Sequence, residues 1–165
     1  MKHTLLCFLF WATTCLAVCA IDIPKEHVFR CERSTNSNYI CYDINLDGNG
    51  TLNQKEPLKS YWVLGGETRI EGLTFLDRKM AFGIKVLSAK ENEALVHLAA
   101  YKDFAIRICR RNGKWVGVVK VNGHEMILQK IYAYMKPPMS IRCEYVEIHG
   151  HDIATGEKRC ERITP

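Results

Sequence analysis

The sequence predicts a mainly β protein, an antiparallel meander forming a barrel-like roll or sandwich of about 8–10 strands with one short helix. Three observations carry this prediction. Asn112-Gly113 and Asn122-Gly123 each lie between β-branched and aromatic runs, the strongest local signal for two-residue type I′ hairpins, since both central residues need φ above zero. Short apolar runs alternate with turn residues along the rest of the chain. From Phe82 to Tyr134 no connection is long enough for a crossover, as in up-and-down barrels.

Taken in order, His27 to Glu32 reads as a strand and Asn38 to Asn45 as its partner across the turn-rich Ser34 to Asn38. Leu58 to Leu64, LKSYWVL, reads as a third strand, stopped by Gly65-Gly66. Leu73, Leu76 and Met80 recur at helical spacing before Gly83, which predicts the one helix. Phe82 to Ser88 and Ala94 to Ala100 pair back across a polar turn, and Lys102-Asp103 turns the chain into the meander Phe104 to Tyr134. Pro137-Pro138 breaks the meander. Ile141 to His149, a turn from His151 to Gly156 and a strand from Glu157 to Ile163 end the chain.

Pairing across the two Asn-Gly turns sets Arg110 against Trp115, Ile108 against Gly117, Ile106 against Val119, Val119 against Met126 and Gly117 against Leu128. This is the expected core face. Cys109, Val116, Val118 and Ile127 share the outer face with charged residues, and Lys120 stands opposite Glu125 as an expected ion pair. If the sheet closes, Ile106, Ile108, Trp115, Val119, Met126 and Leu128, with Arg110 at a rim, line the space where one small apolar ligand fits; otherwise they pack as an ordinary core.

With 165 residues, 47% hydrophobic and 25% charged, the chain fits one globular domain. Residues 1–20 have a basic start, an apolar run from Leu5 to Val18 and small residues before a cut after Ala20. They read as a secretory signal peptide, and residues 21–165 as a single β-rich domain. The run is short of the roughly 20 apolar residues of a membrane span, and the remaining chain holds no such stretch. The expected location is secreted or periplasmic. A lipid anchor on Cys19 is the weaker reading, because Val18 is a poor residue before a lipidated cysteine. Removing Lys2 from 23 basic residues leaves 22 against 18 acidic, a net charge of +4. The one basic cluster, Arg107, Arg110, Arg111 and Lys114, straddles a hairpin and reads as a solvated turn rather than a nucleic-acid patch.

Of eight cysteines, Cys31, Cys41, Cys109, Cys143 and Cys160 lie beyond the leader. An exported protein permits disulfides. Cys31 and Cys41 are symmetric about Asn36, and Cys143 and Cys160 about the His151-Asp152 turn, so two cross-strand bridges are expected. Cys109 is left as a small hydrophobe on the outer face.

Asn45 to Glu56 reads as a twelve-residue calcium loop, with Asn45, Asp47 and Asn49 at the first, third and fifth places, Gly50 at the sixth, the Thr51 carbonyl at the seventh and Glu56 at the twelfth. Its flanks are strand-like and Pro57 stands where an exiting helix would start, so a polar hairpin loop is the competing reading. Glu147, His149 and His151 alternate and would face one side of an extended chain, a workable zinc or copper set, though Gly150 and Asp152 mark a hairpin end. Enzyme motifs are missing: the chain holds no Gly-x-Ser-x-Gly, His-Glu-x-x-His, phosphate loop or dinucleotide fingerprint. Asp43, Asp47, Glu56, Glu67, Glu71 and Asp77 show no spacing that pairs two carboxylates for acid and base roles. No catalytic residue is expected.

One set of landmarks runs through nearly the whole mature chain: Asn38 to Tyr42 (NYICY), Gly50-Thr51-Leu52 followed by Glu56-Pro57, Tyr61-Trp62, Leu73 with Ala81-Phe82-Gly83, Tyr101-Lys102, Asn122-Gly123, and Gly150 with Thr155-Gly156-Glu157. In their order the chain resembles an exported bacterial family, the domain of unknown function numbered 4833. The resemblance implies a signal-bearing, envelope-associated domain and brings no catalytic or binding residues with it. The expected function is a binding or structural module of the cell envelope whose partner is an envelope component. The alternatives are a calcium-binding version using residues 45–56 and a β-barrel carrier of a small apolar ligand.

Overall fold

The computed structural model describes residues 27–66, 69–136 and 142–164. The expected leader, Cys19 and the Pro137-Pro138 break lie outside the described residues. Both Asn-Gly pairs form the left-handed turns their composition demands, with φ of 49° and 79° at Asn112 and Gly113 and of 49° and 84° at Asn122 and Gly123. They join β7 (Tyr101–Arg111), β8 (Lys114–Val121) and β9 (His124–Met135). Arg110 pairs with Trp115, Ile108 with Gly117, Gly117 with Leu128 and Val119 with Met126, the register read from the turns.

The other strands are β1 (Phe29–Arg33), β2 (Tyr39–Ile44), β3 (Leu58–Leu64), β4 (Arg69–Gly72), β5 (Ile84–Lys90), β6 (Glu93–Leu98), β10 (Cys143–Asp152) and β11 (Lys158–Ile163). All eleven belong to one curled sheet with the path β4-β3-β2-β1-β9-β8-β7-β6-β5, and β10 and β11 branch from β9. The fold is thus mainly β, a half-barrel roll. β4 carries one apolar residue in its four, Ile70, and so lacks the alternation that marks a strand in sequence. Lys102 and Asp103 lie inside β7, and the chain reverses instead between Leu98 and Tyr101, which pair.

The concave face is filled by one cluster in which Phe29, Ile40, Tyr42, Val96, Ile106, Ile108, Val119, Met126, Leu128 and Ile148 are essentially inaccessible. The two free edges of the roll are tied at opposite ends. At one end Leu52, buried from the 45–57 loop, donates its backbone N–H to the Glu91 carbonyl oxygen at 2.8 Å. At the other end, the Trp62 indole meets Phe82 edge-on at 5.4 Å and donates to Asp77 at 3.3 Å. The short helix there is a π-helical turn, Asp77–Ala81, that closes on Phe82 N–H to Asp77 oxygen at 2.8 Å. Leu73 is buried, but Leu76 and Met80 face solvent, so the apolar spacing does not build a buried stripe.

The disulfide expectation is overturned. None of the five described cysteines is in a disulfide. Cys31 pairs with Ile40 and Cys41 with Arg30, a register one residue off the symmetric one, which sends the two thiols to opposite faces. The β10–β11 hairpin is centred between Ala154 and Thr155, not between His151 and Asp152, so Cys160 stands opposite His149 while Cys143 pairs with Met135 on β9. Lys120 does pair with Glu125 in register, while the Glu125 carboxylate reaches Arg107 at 3.9 Å.

Candidate functional site

The feature that sets this sheet apart from a plain meander is a fork on one edge of β9. β10 occupies the opposite edge from Met126 to Met135. On the remaining edge β8 pairs as far as Gly117 with Leu128, and β1 takes over in parallel orientation from Arg30 with Lys130. Between these two ladders the starts of β8 and β1 must diverge, because both cannot pair with Gln129. The gap is a groove of about 990 Å³ lined along its length by Val28, Ile44, Trp115, Val116 and Ile127.

Two glycines make the fork possible. A side chain on Gly117 would press on Ile106 at 3.2 Å and on Val28 and Phe29 at 3.6 Å, so the bare backbone admits the start of β1. At Gly150 a β-bulge leaves Gln129 unpaired and brings the Ile127 carbonyl where a Cβ would stand.

The groove's polar lining is mostly cationic: Arg30, Lys114, Lys130 and Lys158, with His27 and His149. Asp43 is its acid, and it is engaged, accepting from Tyr61 at 2.7 Å and lying 2.6 Å from His27 Nδ1. Burial, then the bond to Asp43, pushes the Tyr61 phenol well above its usual range. Behind the rim, Glu32 holds Arg30 at 2.8 Å and Lys130 at 3.2 Å. These bonds fix both cations in place while leaving donors to spare. The Trp115 ring lies under Arg110 at 5.0 Å, and its buried indole N–H has no hydrogen-bond partner among the described residues.

Of the residues expected to line a barrel interior, Ile106, Ile108, Val119, Met126 and Leu128 are packed in the core. Trp115 and Leu128 also border the groove, and Arg110 is exposed over the Trp115 ring. In the 45–56 loop, Asp47 accepts from the Asn49 N–H at 3.0 Å, the Thr51 N–H at 3.1 Å and the Thr51 hydroxyl at 2.7 Å. The Asn45 carboxamide donates to the Glu56 carbonyl at 2.7 Å, so the Glu56 backbone rather than its carboxylate meets Asn45. Glu147 and His149 do share a side, as their alternation predicts. The group that joins them is Cys160 from β11, while His151 turns to the Gly156 carbonyl at 3.2 Å.

His27, Arg30 and Asp43 escape a reading of sequence alone. They meet Lys130 only through the parallel β1–β9 ladder, which has no local signature.

Fold and groove together define a small mainly β domain with an open, amphipathic cleft. The chain belongs to the family described as Domain of unknown function (DUF4833), whose model matches residues 29–162. No curated protein and no solved structure matches it. Several landmarks of the resemblance fall at the closed end of the roll, where Tyr42, Trp62, Phe82 and Gly83 meet. Among the described residues no helix is long and apolar enough to cross a membrane.

Proposed function

We propose that this protein is an exported binding module of the cell envelope that holds a small amphipathic anion in the fork between β1 and β8. The observation that carries the reading is the lining of that groove, an apolar wall of Val28, Ile44, Trp115 and Ile127 beside Arg30 and Lys130. Burial of an alkyl chain against such a wall contributes about 0.8 kcal/mol per methylene. A carboxylate or phosphate at the rim gains charge-assisted hydrogen bonds from groups already held by Glu32. The leader of residues 1–20 supports the envelope location.

The test is calorimetric titration of the full protein, expressed with its leader and recovered from the envelope or periplasmic fraction. The probes are decanoate, decanol and a decyltrimethylammonium salt. Decanoate should bind saturably and best, and Lys130→Ala should weaken it about 10-fold, as loss of one hydrogen bond to a charged group does. Equal binding of the three probes, or no binding of decanoate, rejects the anionic amphiphile. Recovery from the cytoplasm with residues 1–20 intact rejects the envelope reading.

A further inference from the structure

We propose that Glu147, His149 and Cys160 form a zinc site on the outer face of the β10–β11 hairpin. The sheet places them without any loop. Cys160 is the register partner of His149, and Glu147 lies two residues before His149 on β10, so all three side chains leave the same face of two paired strands. One donor atom from each lies within 4.8 Å of the others.

The distances fit a tetrahedral ion. Zinc lies about 2.3 Å from a thiolate sulfur and about 2.0–2.1 Å from imidazole nitrogen and carboxylate oxygen, so tetrahedral angles put sulfur and nitrogen about 3.6 Å apart and nitrogen and oxygen about 3.3 Å apart. In the protein, Cys160 Sγ is 3.7 Å from His149 Nε2, and His149 Nε2 is 3.3 Å from Glu147 Oε2. The remaining edge, from Cys160 Sγ to Glu147, lies within 4.8 Å, and the exposed Cys160 is the side chain that would close it on an ion.

The same geometry argues against a nucleophilic triad. In a relay the carboxylate holds one imidazole nitrogen while the other faces the thiol. Here both groups approach Nε2. Three donors converging on one point is an arrangement that a cation satisfies. Thiolate and carboxylate balance the two charges of zinc, and the soft sulfur selects zinc over calcium or magnesium. Arg162 grips the second carboxylate oxygen, Oε1, at 2.7 Å and so orients Glu147 from outside the site. Three protein ligands would leave a fourth position for water, and a small cleft lined by Gln129, Gly150 and Lys158 borders His149 and Cys160.

The site is tested on the full protein, reduced and freed of metal with a chelator, by adding zinc or cobalt. One equivalent of zinc should bind in competition with a chromophoric chelator, and cobalt should give a thiolate-to-metal charge-transfer band. Cys160→Ser should abolish the band. His149→Ala and Glu147→Gln should each weaken zinc by at least the roughly 10- to 100-fold that losing an outer-shell partner costs. His151→Ala and Cys109→Ser should leave binding unchanged. Because a variant can fail for reasons of folding, the wild-type protein supplies its own readout, protection of Cys160 from iodoacetamide by zinc, mapped by peptide mass spectrometry. No stoichiometric zinc, a band that survives Cys160→Ser, or alkylation of Cys160 at the same rate with and without zinc overturns the site.

Discussion

The Tyr42 hydroxyl donates to the Phe82 carbonyl oxygen at 2.8 Å, joining β2 to the turn that ends the π-helical segment. Tyr42 is inaccessible to solvent, stacks on Phe29 with ring centroids 4.3 Å apart and sits at the centre of the closed end of the roll. Removing its hydroxyl leaves the part-buried Phe82 carbonyl short of a donor, which costs more than the bond itself contributes. Tyr42→Phe should therefore destabilise the fold by about 1–3 kcal/mol. Urea denaturation is the measurement, and an unchanged midpoint would mean that the bond does not tie the edges of the sheet.

Gly83 and Gly150 are constrained by the backbone opposite each of them rather than by a left-handed conformation. A Cβ on Gly83 would fall on the Arg78 carbonyl, and one on Gly150 on the Ile127 carbonyl. Neither obstacle is a side chain that can swing away. Alanine at either position should cost about 3 kcal/mol or more, at the severe end of overpacking. The two variants should differ in kind. Gly83→Ala loosens the closed end, whereas Gly150→Ala disturbs the bulge at Gln129 and with it the groove. Thermal melts test the first effect. Decanoate titration of whatever Gly150→Ala protein remains folded tests the second, and retention of full affinity with an intact melt would reject the bulge as a determinant of the groove.

What could be read from the residues divides along local and distant contacts. The Asn112-Gly113 and Asn122-Gly123 turns set the register of β7, β8 and β9 because each turn joins adjacent strands and admits only one backbone conformation. The parallel β1–β9 ladder joins segments about a hundred positions apart, as the bond between Met135 N–H and Ser34 hydroxyl shows (a separation of 101), and nothing near either segment announces it. The groove is therefore invisible locally, although the Asn-Gly turns do mark Trp115 and Leu128, which border it, as neighbours on one face. The cysteine pairings failed by small slips. A one-residue shift between β1 and β2 moves Cys41 to the face opposite Cys31. In the last hairpin, the Thr155-Gly156 turn, with Gly156 at φ 75°, moves the centre toward the C-terminus and delivers Cys160 to His149. Glu147 and His149 were legible as a pair because strand alternation is local; their third partner depended on that turn.

The differing burial of the five described cysteines makes a graded prediction. Cys31, Cys41 and Cys109 are buried, Cys143 is half-buried and Cys160 is exposed. Burial pushes the Cys31 thiol up to about 12, which removes thiolate at neutral pH. In metal-free native protein, iodoacetamide should modify Cys160 first, Cys143 more slowly, and the other three only on unfolding. Peptide mapping over a time course checks this order. Rapid native labelling of Cys31 or Cys41 would show that the β1–β2 hairpin opens.

The last hairpin carries an acid-sensitive contact. Asp152 accepts from the Ala154 N–H at 2.8 Å and the Thr155 N–H at 3.1 Å, and lies 3.2 Å from Arg159 and 3.4 Å from His124. The bonds from Thr155 and Ala154, with Arg159 and His124 behind them, hold its carboxyl below the usual carboxylate range. Asp47 shifts the same way through the Thr51 hydroxyl, Glu147 through Arg162 and Glu161 through Asn122. An unfolded chain titrates these groups near 3.9 for Asp and 4.3 for Glu. With folded values lower, the unfolded state binds more protons in the acid range, so stability rises with pH there. It is fully present above about pH 5 and is lost as pH falls through the folded values, below about pH 4. Asp152→Asn keeps an oxygen for the Ala154 and Thr155 amides but cannot titrate. Its melting temperature should lie below that of the wild type at pH 7, and the gap should narrow steadily toward pH 3. A gap that stays constant across that range would show that the Asp152 charge contributes nothing to the turn.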